Sequence, residues 1–392
     1  MFDSTLVWTD PARAGAFAQW LSGVAAQYGL QAGSVRLASA DASFRRYFRI
    51  DAANGQGSRI IMDAPPAQED CAPFVKVAGL MAGAGLNAPQ VLAWDQPLGF
   101  MLLSDLGAQT LLDVIAPPAA VNAMAEATQA HFDLYMEAVD LLLRWQLASK
   151  PGVLPPYDDA LLSRELALFP EWYVLKHRGI TLDAGKQAKL DDAFAQIKAS
   201  NLQSLNSARV YVHRDFMPRN LMVAQTSNAE GVQFSDGPPL GKLAPSGGSE
   251  PHAVGSVGAH LGVLDFQDAV YGPVTYDIAS LMRDAFLSWE EEFVLDITVR
   301  YWQKARKAGL PVGDDFGEFY RAVEWMGLQR HLKVLGIFAR LTLRDGKPKY
   351  LADTPRFIKY VRATCARYRP LGPLMVLLDE IEGNETRVGY TF

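Results

Sequence analysis

One short stretch, residues 211–223, constrains this chain of 392 residues more than any other. It reads YVHRDFMPRNLMV, so two apolar runs flank a polar loop with the pattern H-x-D-x-x-x-x-N. Further along, LGVLDF is a third apolar run, and Asp265 lies near its end. Short runs rich in Val, Leu and Tyr predict buried strands. The fold must therefore hold a polar loop and an acidic strand end on a framework of buried strands.

The spacing of this loop suits phosphoryl transfer from a nucleotide. It lets one carboxylate, Asp215, face a reacting hydroxyl while the amide oxygen of Asn220 reaches a Mg²⁺ on the nucleotide. Asp265 would add a second hard oxygen, and Mg²⁺ usually takes its remaining ligands from phosphate and water. A chance combination of these residues is the alternative, and the strands on both sides and the second strand-end aspartate argue against it. We interpret Asp215 as the catalytic residue, and Asn220 and Asp265 as the metal ligands.

The remaining sequence divides into two parts. Residues 1–108 open with a helical pattern and continue with five short strand-like runs and one further helix, whereas the chain from 109 onward has mostly the 3.6-residue period of helices. This predicts an α+β fold with two lobes, a small β-rich nucleotide-binding lobe at 1–108 and a larger, mostly helical catalytic and acceptor-binding lobe at 109–392. Composition agrees with a sizeable core, since 49% of the residues are hydrophobic.

One segment, 226–260, lacks the composition of packed structure. Its 35 residues include seven Gly, five Ser and four Pro, and only four are charged. So little apolar surface cannot offset the entropy lost on ordering. We predict a mobile surface insertion, with a functional lid or docking loop as the alternative.

Composition excludes several classes of protein. The net charge of −6 gives no general attraction to nucleic acid or to an anionic membrane, and no apolar run is long enough to cross a bilayer. Two cysteines are too few for a disulfide framework or a cysteine zinc site, so a cytoplasmic location is expected. The oligomeric state stays open. Walker, Rossmann, H-E-x-x-H and C-x-x-C patterns are absent from the sequence.

Longer strings of residues resemble the aminoglycoside phosphotransferase family, the small-molecule branch of the protein-kinase-like fold. The resemblance extends over nearly the whole chain. Its strings come closest to bacterial kinases that phosphorylate the anomeric hydroxyl of N-acetylmuramate or N-acetylglucosamine in cell-wall recycling. It implies ATP and Mg²⁺ as cofactors and a sugar 1-phosphate as product. The matching strings are DASFRRYF, MDAPP, FMLLSDLG, ELALFPEWY, HRDFMPRNLM, LGVLDFQDAVYGPVTYDIASLMRDAFLSW and EWMGLQRHLKVLGIFARL.

The same resemblance implies where the nucleotide binds. The turn at residues 41–43, which includes Ser43, would cover the phosphates, and adenine would contact the backbone of Ser104, Asp105 and Leu106. It also implies that His213 braces the catalytic loop. A further aspartate, Asp277, matches a family aspartate near that loop, with an ordinary first-turn helix carboxylate as the alternative.

The chain departs from the family at one position. Kinase-like proteins place a lysine on the third strand, but here that strand reads IIMD, and the first 143 residues contain a single lysine, in the following helix. Arg45 or Arg46 is the candidate phosphate cation, paired with Glu69 or Asp70; solvated strand arginines are the alternative. The missing lysine also leaves a nucleotide-binding regulatory protein without turnover as a rival function.

The charge distribution bears on the acceptor. Residues 300–370 contain 16 Lys and Arg against 6 Asp and Glu. In the family the C-terminal helices build the acceptor pocket, and a basic pocket suits a sugar with a carboxylate better than a polycation. Glu165 and Arg330 are the predicted sugar contacts. A kinase of another small alcohol (an aminoglycoside, choline-like or homoserine-like acceptor) remains the alternative.

Overall fold

The structure is a computed structural model that describes residues 8, 10–40, 44–55, 57–115, 124–125, 127–223 and 261–384. The predicted insertion at 226–260 lies outside these residues. The chain forms two compact units: the first takes the described residues up to 111 together with 220–223 and 261–268, and the second takes those within 112–219 and from 269 onward. The predicted lobe limits, 1–108 and 109–392, stay a prediction.

The first unit contains an antiparallel five-stranded sheet in the order β1-β2-β3-β5-β4. Residues alternate between its two faces, and on one face Phe48 packs against Phe17 of the first helix, with ring centroids 5.6 Å apart. That helix begins at a side-chain cap from Asp10 and ends at Gly29, whose φ of 61° favours glycine. The elements are α1 (Pro11–Tyr28), β1 (Arg36–Ala40), β2 (Arg46–Asp51), β3 (Ser58–Asp63), α2 (Ala72–Gly83), β4 (Val91–Asp95) and β5 (Phe100–Ser104).

Most of the second unit is helical, as the sequence predicts. A short antiparallel pair, β7 and β10, holds the catalytic motif, with Val212 opposite Val270. The elements in chain order, including the pair β8 and β9 that belongs to the first unit, are α3 (Leu111–Ile115), β6 (Met124–Ala125), α4 (Gln129–Leu147), α5 (Asp159–Leu168), a π-helix (Phe169–His177), α6 (Ala184–Ser207), β7 (Arg209–Val212), β8 (Leu221–Val223), β9 (Leu261–Val263), β10 (Val270–Pro273), α7 (Tyr276–Met282), β11 (Ser288–Trp289), α8 (Glu291–Lys307), α9 (Phe316–Leu343), α10 (Thr354–Arg367) and α11 (Gly372–Glu382).

Helix α9 is the longest element of the second unit, and it approaches the junction of α5 and the π-helix very closely. A Cβ added at Gly336 would lie 2.3 Å from the carbonyl oxygen of Leu168. Only glycine lets the two backbones come this near. On the same face of α9, one and two turns earlier, are Lys333 and Gln329, so this close approach also fixes their distance from α5.

None of the helices formed by the described residues combines the length and the apolar character needed to cross a membrane.

Candidate active site

A cavity of about 600 Å³ opens at the end of β5 in the first unit. Its lining includes Ser104, Asp105 and Leu106, the three residues predicted to contact adenine, together with Arg49 and Asn87. This volume lies within the range of ordinary small-molecule sites. These three residues, called the hinge from here on, therefore share the wall of one cavity.

The side chain of Asp105 fixes the shape of this hinge. Its carboxylate accepts hydrogen bonds from Arg49 Nε at 2.6 Å, from the Ser58 hydroxyl at 2.6 Å and from the Gly107 amide at 2.9 Å. Burial works against its charge, but these donors together lower the pKa of Asp105. A carboxylate anchored in this way leaves the neighbouring peptide groups in fixed directions along the cavity.

The two candidate phosphate cations lie on opposite sides of the sheet. Arg46 donates to the buried carboxylate of Asp63 at 2.5 and 2.9 Å, and its guanidinium lies 4.0 Å from the ring centroid of Trp8. Arg13 of α1 donates to the other oxygen of the same Asp63. Arg46 is thus held on the α1 face, away from the side on which Arg49 reaches the cavity wall.

Arg45 is held differently. Its Nε and a terminal nitrogen each lie 3.1 Å from Oε2 of Glu69, and both side chains are mostly buried. A hydrogen bond also joins Arg45 to the hydroxyl of Tyr47. Tyr47 in turn is close enough to Asp265 for the charge of that carboxylate to raise its pKa, in addition to the larger effect of burial. Of the two arginines, Arg45 is therefore the one in the neighbourhood of a predicted metal ligand. Ser43 lies outside the described residues.

The two predicted metal ligands are brought together by β8 and β9. Asn220 immediately precedes β8, and its carbonyl accepts a hydrogen bond from the Leu264 amide at 2.9 Å. Asp265 has a φ of 61°, an unusual value for a residue with a side chain. One amide and one carboxylate supply two hard oxygen atoms, a donor set that fits Mg²⁺ shared with phosphate oxygens and water.

The catalytic loop in the second unit is braced by two buried residues. Asp277 at the start of α7 is fully buried, and its carboxylate accepts the backbone amides of His213 at 2.7 Å and Arg214 at 2.9 Å. His213 is also buried, and its Nδ1 accepts the amide of Asp215 at 3.2 Å. Burial raises the pKa of Asp277 despite these donors. These contacts support the interpretation of Asp277 as the family aspartate that lies near the catalytic loop, over that of an ordinary first-turn helix carboxylate.

Arg214 connects this loop to the interior of the unit. It has a φ of 79°, again in the left-handed region. Its carbonyl accepts hydrogen bonds from Arg330 and from the Ser280 hydroxyl, the latter at 3.1 Å. Its guanidinium donates to Glu165 at 2.5 Å.

Glu165 is the centre of a buried polar network. Besides Arg214, its carboxylate accepts from Lys333 at 2.7 Å, from the Tyr157 hydroxyl at 2.7 Å and from Gln329 at 2.9 Å. Burial alone would raise its pKa, but the charges of Lys333 and Arg214 bring the pKa of Glu165 down to about 2. The predicted sugar contact is thus 4% exposed and already saturated by donors of this chain.

Asp215, the predicted catalytic residue, is more accessible. Its side chain is 38% exposed, and Arg330 approaches its Oδ1 to 3.9 Å. Arg330 itself is buried and lies 4.9 Å over the ring of Tyr276. Burial opposes ionisation of Asp215, but the charges of Lys333, Arg330 and Arg214 prevail and lower its pKa. The carboxylate is therefore ionised and able to accept a hydrogen bond from a hydroxyl group.

Sequence reasoning missed both cations that contact Glu165, Lys333 and the side chain of Arg214. A signal for the first was present, because Arg330 and Lys333 are three residues apart and so share a face of α9. The role of the Arg214 side chain left no local signal, since its partner Glu165 lies 49 residues earlier in the chain.

Known proteins match the chain closely. A profile of the phosphotransferase enzyme family (APH) matches residues 34–232 and 256–315. The chain belongs to this family. Proteins named N-acetylmuramate/N-acetylglucosamine kinase are 47% identical in Pseudomonas aeruginosa, covering 88% of this chain and 87% of the relative, and 46% identical in Neisseria meningitidis, covering 91% and 93%. The break in the family match, at 233–255, falls within the predicted insertion.

Solved structures show the fold. The ADP-bound crystal structure of aminoglycoside phosphotransferase APH(2'')-Ib superposes with a TM-score of 0.51 over 88% of this chain and 97% of that one, at 13% sequence identity. The predicted membership of the phosphotransferase family, the two-lobed kinase-like α+β fold and the assignment as a phosphotransferase are confirmed.

Proposed function

We propose that this phosphotransferase transfers the γ-phosphoryl group of ATP to the anomeric hydroxyl of N-acetylmuramate or N-acetylglucosamine. The observation that carries the proposal is the match to kinases of these two sugars, at 47% identity over 88% of the chain. The catalytic motif and the cavity at the hinge support it independently, because they provide a base and a nucleotide-sized site. Both cysteines are free and buried, which agrees with a cytoplasmic enzyme.

Asp215 is the proposed catalytic residue. Its lowered pKa keeps the carboxylate ionised, so it can accept a hydrogen bond from the sugar hydroxyl and align it for in-line attack. The bracing of its loop by Asp277 and His213 supports this role, because alignment needs a fixed backbone.

Asn220 and Asp265 are the proposed Mg²⁺ ligands. When bound, the ion would neutralise charge on the phosphate oxygens. The contribution of the chain is to hold both oxygens at neighbouring positions of one strand pair, through the hydrogen bond between the Asn220 carbonyl and the Leu264 amide.

The proposed nucleotide contacts all belong to the first unit. We assign adenine to the backbone of Ser104, Asp105 and Leu106, where the cavity supplies the volume. The phosphates are assigned to Arg45, with the Ser43 turn as a predicted cover. Arg46 is a poorer candidate because its guanidinium is taken up by Asp63 and Trp8.

The two predicted acceptor contacts, Arg330 and Glu165, have different surroundings. Arg330 remains a candidate because it lies beside Asp215, whereas Glu165 is enclosed by four donors. We therefore propose that Arg330 contributes to the acceptor site and that Glu165 supports the catalytic loop through Arg214 without contacting the sugar.

Phosphoryl transfer with Mg-ATP and a panel of sugars and amino alcohols tests the function. We expect a product from N-acetylmuramate or N-acetylglucosamine with phosphorus at the anomeric carbon by phosphorus NMR, and rapid hydrolysis of that product in mild acid. An acid-stable phosphate ester on an aminoglycoside, choline or homoserine would replace the proposal by another small-alcohol kinase. Binding of ATP without any transfer would favour the regulatory alternative.

Substitution of Asp215 tests its assignment as the catalytic base. Asp215→Asn should lower kcat by about 10²- to 10⁴-fold. Asp296→Asn is a matched substitution in an exposed ion pair on α8 and should leave kcat unchanged. Full activity of Asp215→Asn would remove the assigned base.

A further inference from the structure

The residue before the proposed base has a strained backbone. Arg214 has a φ of 79°, in the left-handed region that is unfavourable for a residue with a side chain. Strain of this kind persists only where the surroundings over-determine it. The direction of the Asp215 side chain depends on this peptide, so whatever holds Arg214 also aims the carboxylate.

Contacts from three helices hold Arg214 at once. Its amide donates to Asp277 on α7 at 2.9 Å, and its carbonyl accepts from Ser280 on α7 and from Arg330 on α9. Its guanidinium donates to Glu165 on α5 at 2.5 Å. Backbone and side chain are therefore fixed together.

Glu165 is in turn fixed by α9. The ammonium of Lys333 lies 2.7 Å from Oε1 of Glu165, the same oxygen that Arg214 contacts. Both side chains of this ion pair are less than a tenth exposed. The close approach of α9 at Gly336 sets the spacing of the two helices and with it the distance between the backbones that carry Lys333 and Glu165.

We infer that Glu165 is a positioning residue for Asp215, acting through Arg214, and that Lys333 holds Glu165 in the orientation this requires. The inference rests on the proposed function in taking Asp215 as the base. It replaces the sequence prediction that Glu165 binds sugar hydroxyls. A positioning residue affects the rate of the transfer step and leaves the affinity for both substrates almost unchanged.

The first test separates kcat from KM. Glu165→Gln and Lys333→Met should each lower kcat by roughly 10- to 100-fold, because small displacements of a base are costly, with KM for ATP and sugar within about twofold of wild type. Lys333→Arg keeps the charge and should recover most of the rate. Lys304→Met, which removes an exposed ion pair with Asp140, is the matched control and should have no effect. A raised KM for the sugar with kcat unchanged would instead make Glu165 a substrate contact.

A double-mutant cycle tests the route through Arg214. Arg214→Gly accepts the observed φ and removes the guanidinium, so Glu165→Gln should cost little further rate on that background. If Glu165→Gln keeps its full effect there, Glu165 does not act through Arg214. Equal kcat for all variants and wild type would overturn the inference altogether.

A structural readout keeps this inference separate from the proposed function. If the wild-type enzyme transfers phosphate to no sugar, the proposed function fails, but the contacts of Lys333, Glu165 and Arg214 can still be examined in crystals of Lys333→Met. We expect Arg214 to leave the left-handed region or the Asp215 carboxylate to rotate in that variant. An unchanged loop would contradict the inference whatever the substrate is.

Discussion

Asp284, in the segment after α7, is a buried carboxyl group that the proposed mechanism does not use. It is 2% exposed, and among the described residues no hydrogen-bond donor reaches its Oδ2. Burial raises its pKa from 3.8 to about 6, although the amides of Ala285 and Phe286 and the charge of Arg356 oppose the shift. The folded state therefore binds a proton here more tightly than the unfolded chain does.

This shift predicts a pH-dependent cost in stability. Since the pKa of Asp284 is higher in the folded protein, stability is lost as pH rises from about 4 to about 6. Asp284→Asn removes the ionisation, so at pH 7.5 it should be more stable than wild type by about 2–3 kcal/mol, with no advantage below pH 4. Chemical denaturation at the two pH values measures this. A variant that is less stable than wild type at pH 7.5 would show that the charge is compensated.

At the level of elements, alternation along β2 decides which arginine can meet a phosphate. Tyr47 and Arg49 point to the side of Asp265 and the cavity, whereas Arg46 and Phe48 point to α1. Arg45 precedes the strand, and its hydrogen bond to Tyr47 places its side chain on the same side of the sheet as Tyr47. The guanidinium of Arg45 has several donors in a fixed fork, so it can bind Glu69 and phosphate oxygens at the same time. The ammonium of the usual lysine on β3 would instead act on the phosphates as a point charge.

Nucleotide binding provides the test of this assignment. Arg45→Met should weaken ADP binding by roughly 10- to 100-fold, the loss expected for a charged hydrogen bond, and should leave adenosine binding unchanged. Arg36→Met removes an exposed ion pair with Asp51 in the same sheet and is the control. Calorimetric titration of each variant measures both ligands. Equal losses for ADP and adenosine would indicate general damage to the unit and not a lost phosphate contact.

Sequence patterns captured what is local in the chain. The strands of the first unit, the helices of the second and the loop from His213 to Asn220 are encoded within windows of a few residues. The network at Glu165 is not, because its partners Arg214 and Lys333 lie 49 and 168 residues away and meet it only after the helices have packed. Donors from distant segments saturate this carboxylate. Which segments meet is decided by the packing of the helices, and the sequence of a single segment does not encode that packing.

On the scale of the whole molecule, part of the basic excess at 300–370 is used in ion pairs within the protein. Many of these cations pair with acids from outside that window. Lys304 pairs with Asp140, Lys333 with Glu165, Arg362 with Asp379, and Arg367 with Glu291. The count of charges in one segment therefore overstates the positive charge available to a substrate carboxylate. The predicted preference for an acidic sugar therefore rests on Arg330 more than on this total.

The segment between β8 and β9 gives a prediction about the whole chain. Val223 and Leu261 are paired in an antiparallel ladder, so the two ends of the segment are already at hairpin distance. Replacing residues 224–260 by Asn-Gly should preserve folding, ADP affinity and kcat within about twofold. Thermal unfolding and steady-state kinetics measure this. A large rise in KM for the sugar would identify the segment as the lid or docking loop considered from the sequence.

The same ladder has a consequence for the history of the chain. Because Leu221 pairs with Val263, the separation of Asn220 and Asp265 is set by the pairing and not by the number of residues between the strands. Indels in this hairpin can therefore accumulate without changing the spacing of the two oxygens, and closing a longer loop adds little entropic cost. The position is equally suited to new termini in a circular permutant or to an inserted reporter domain.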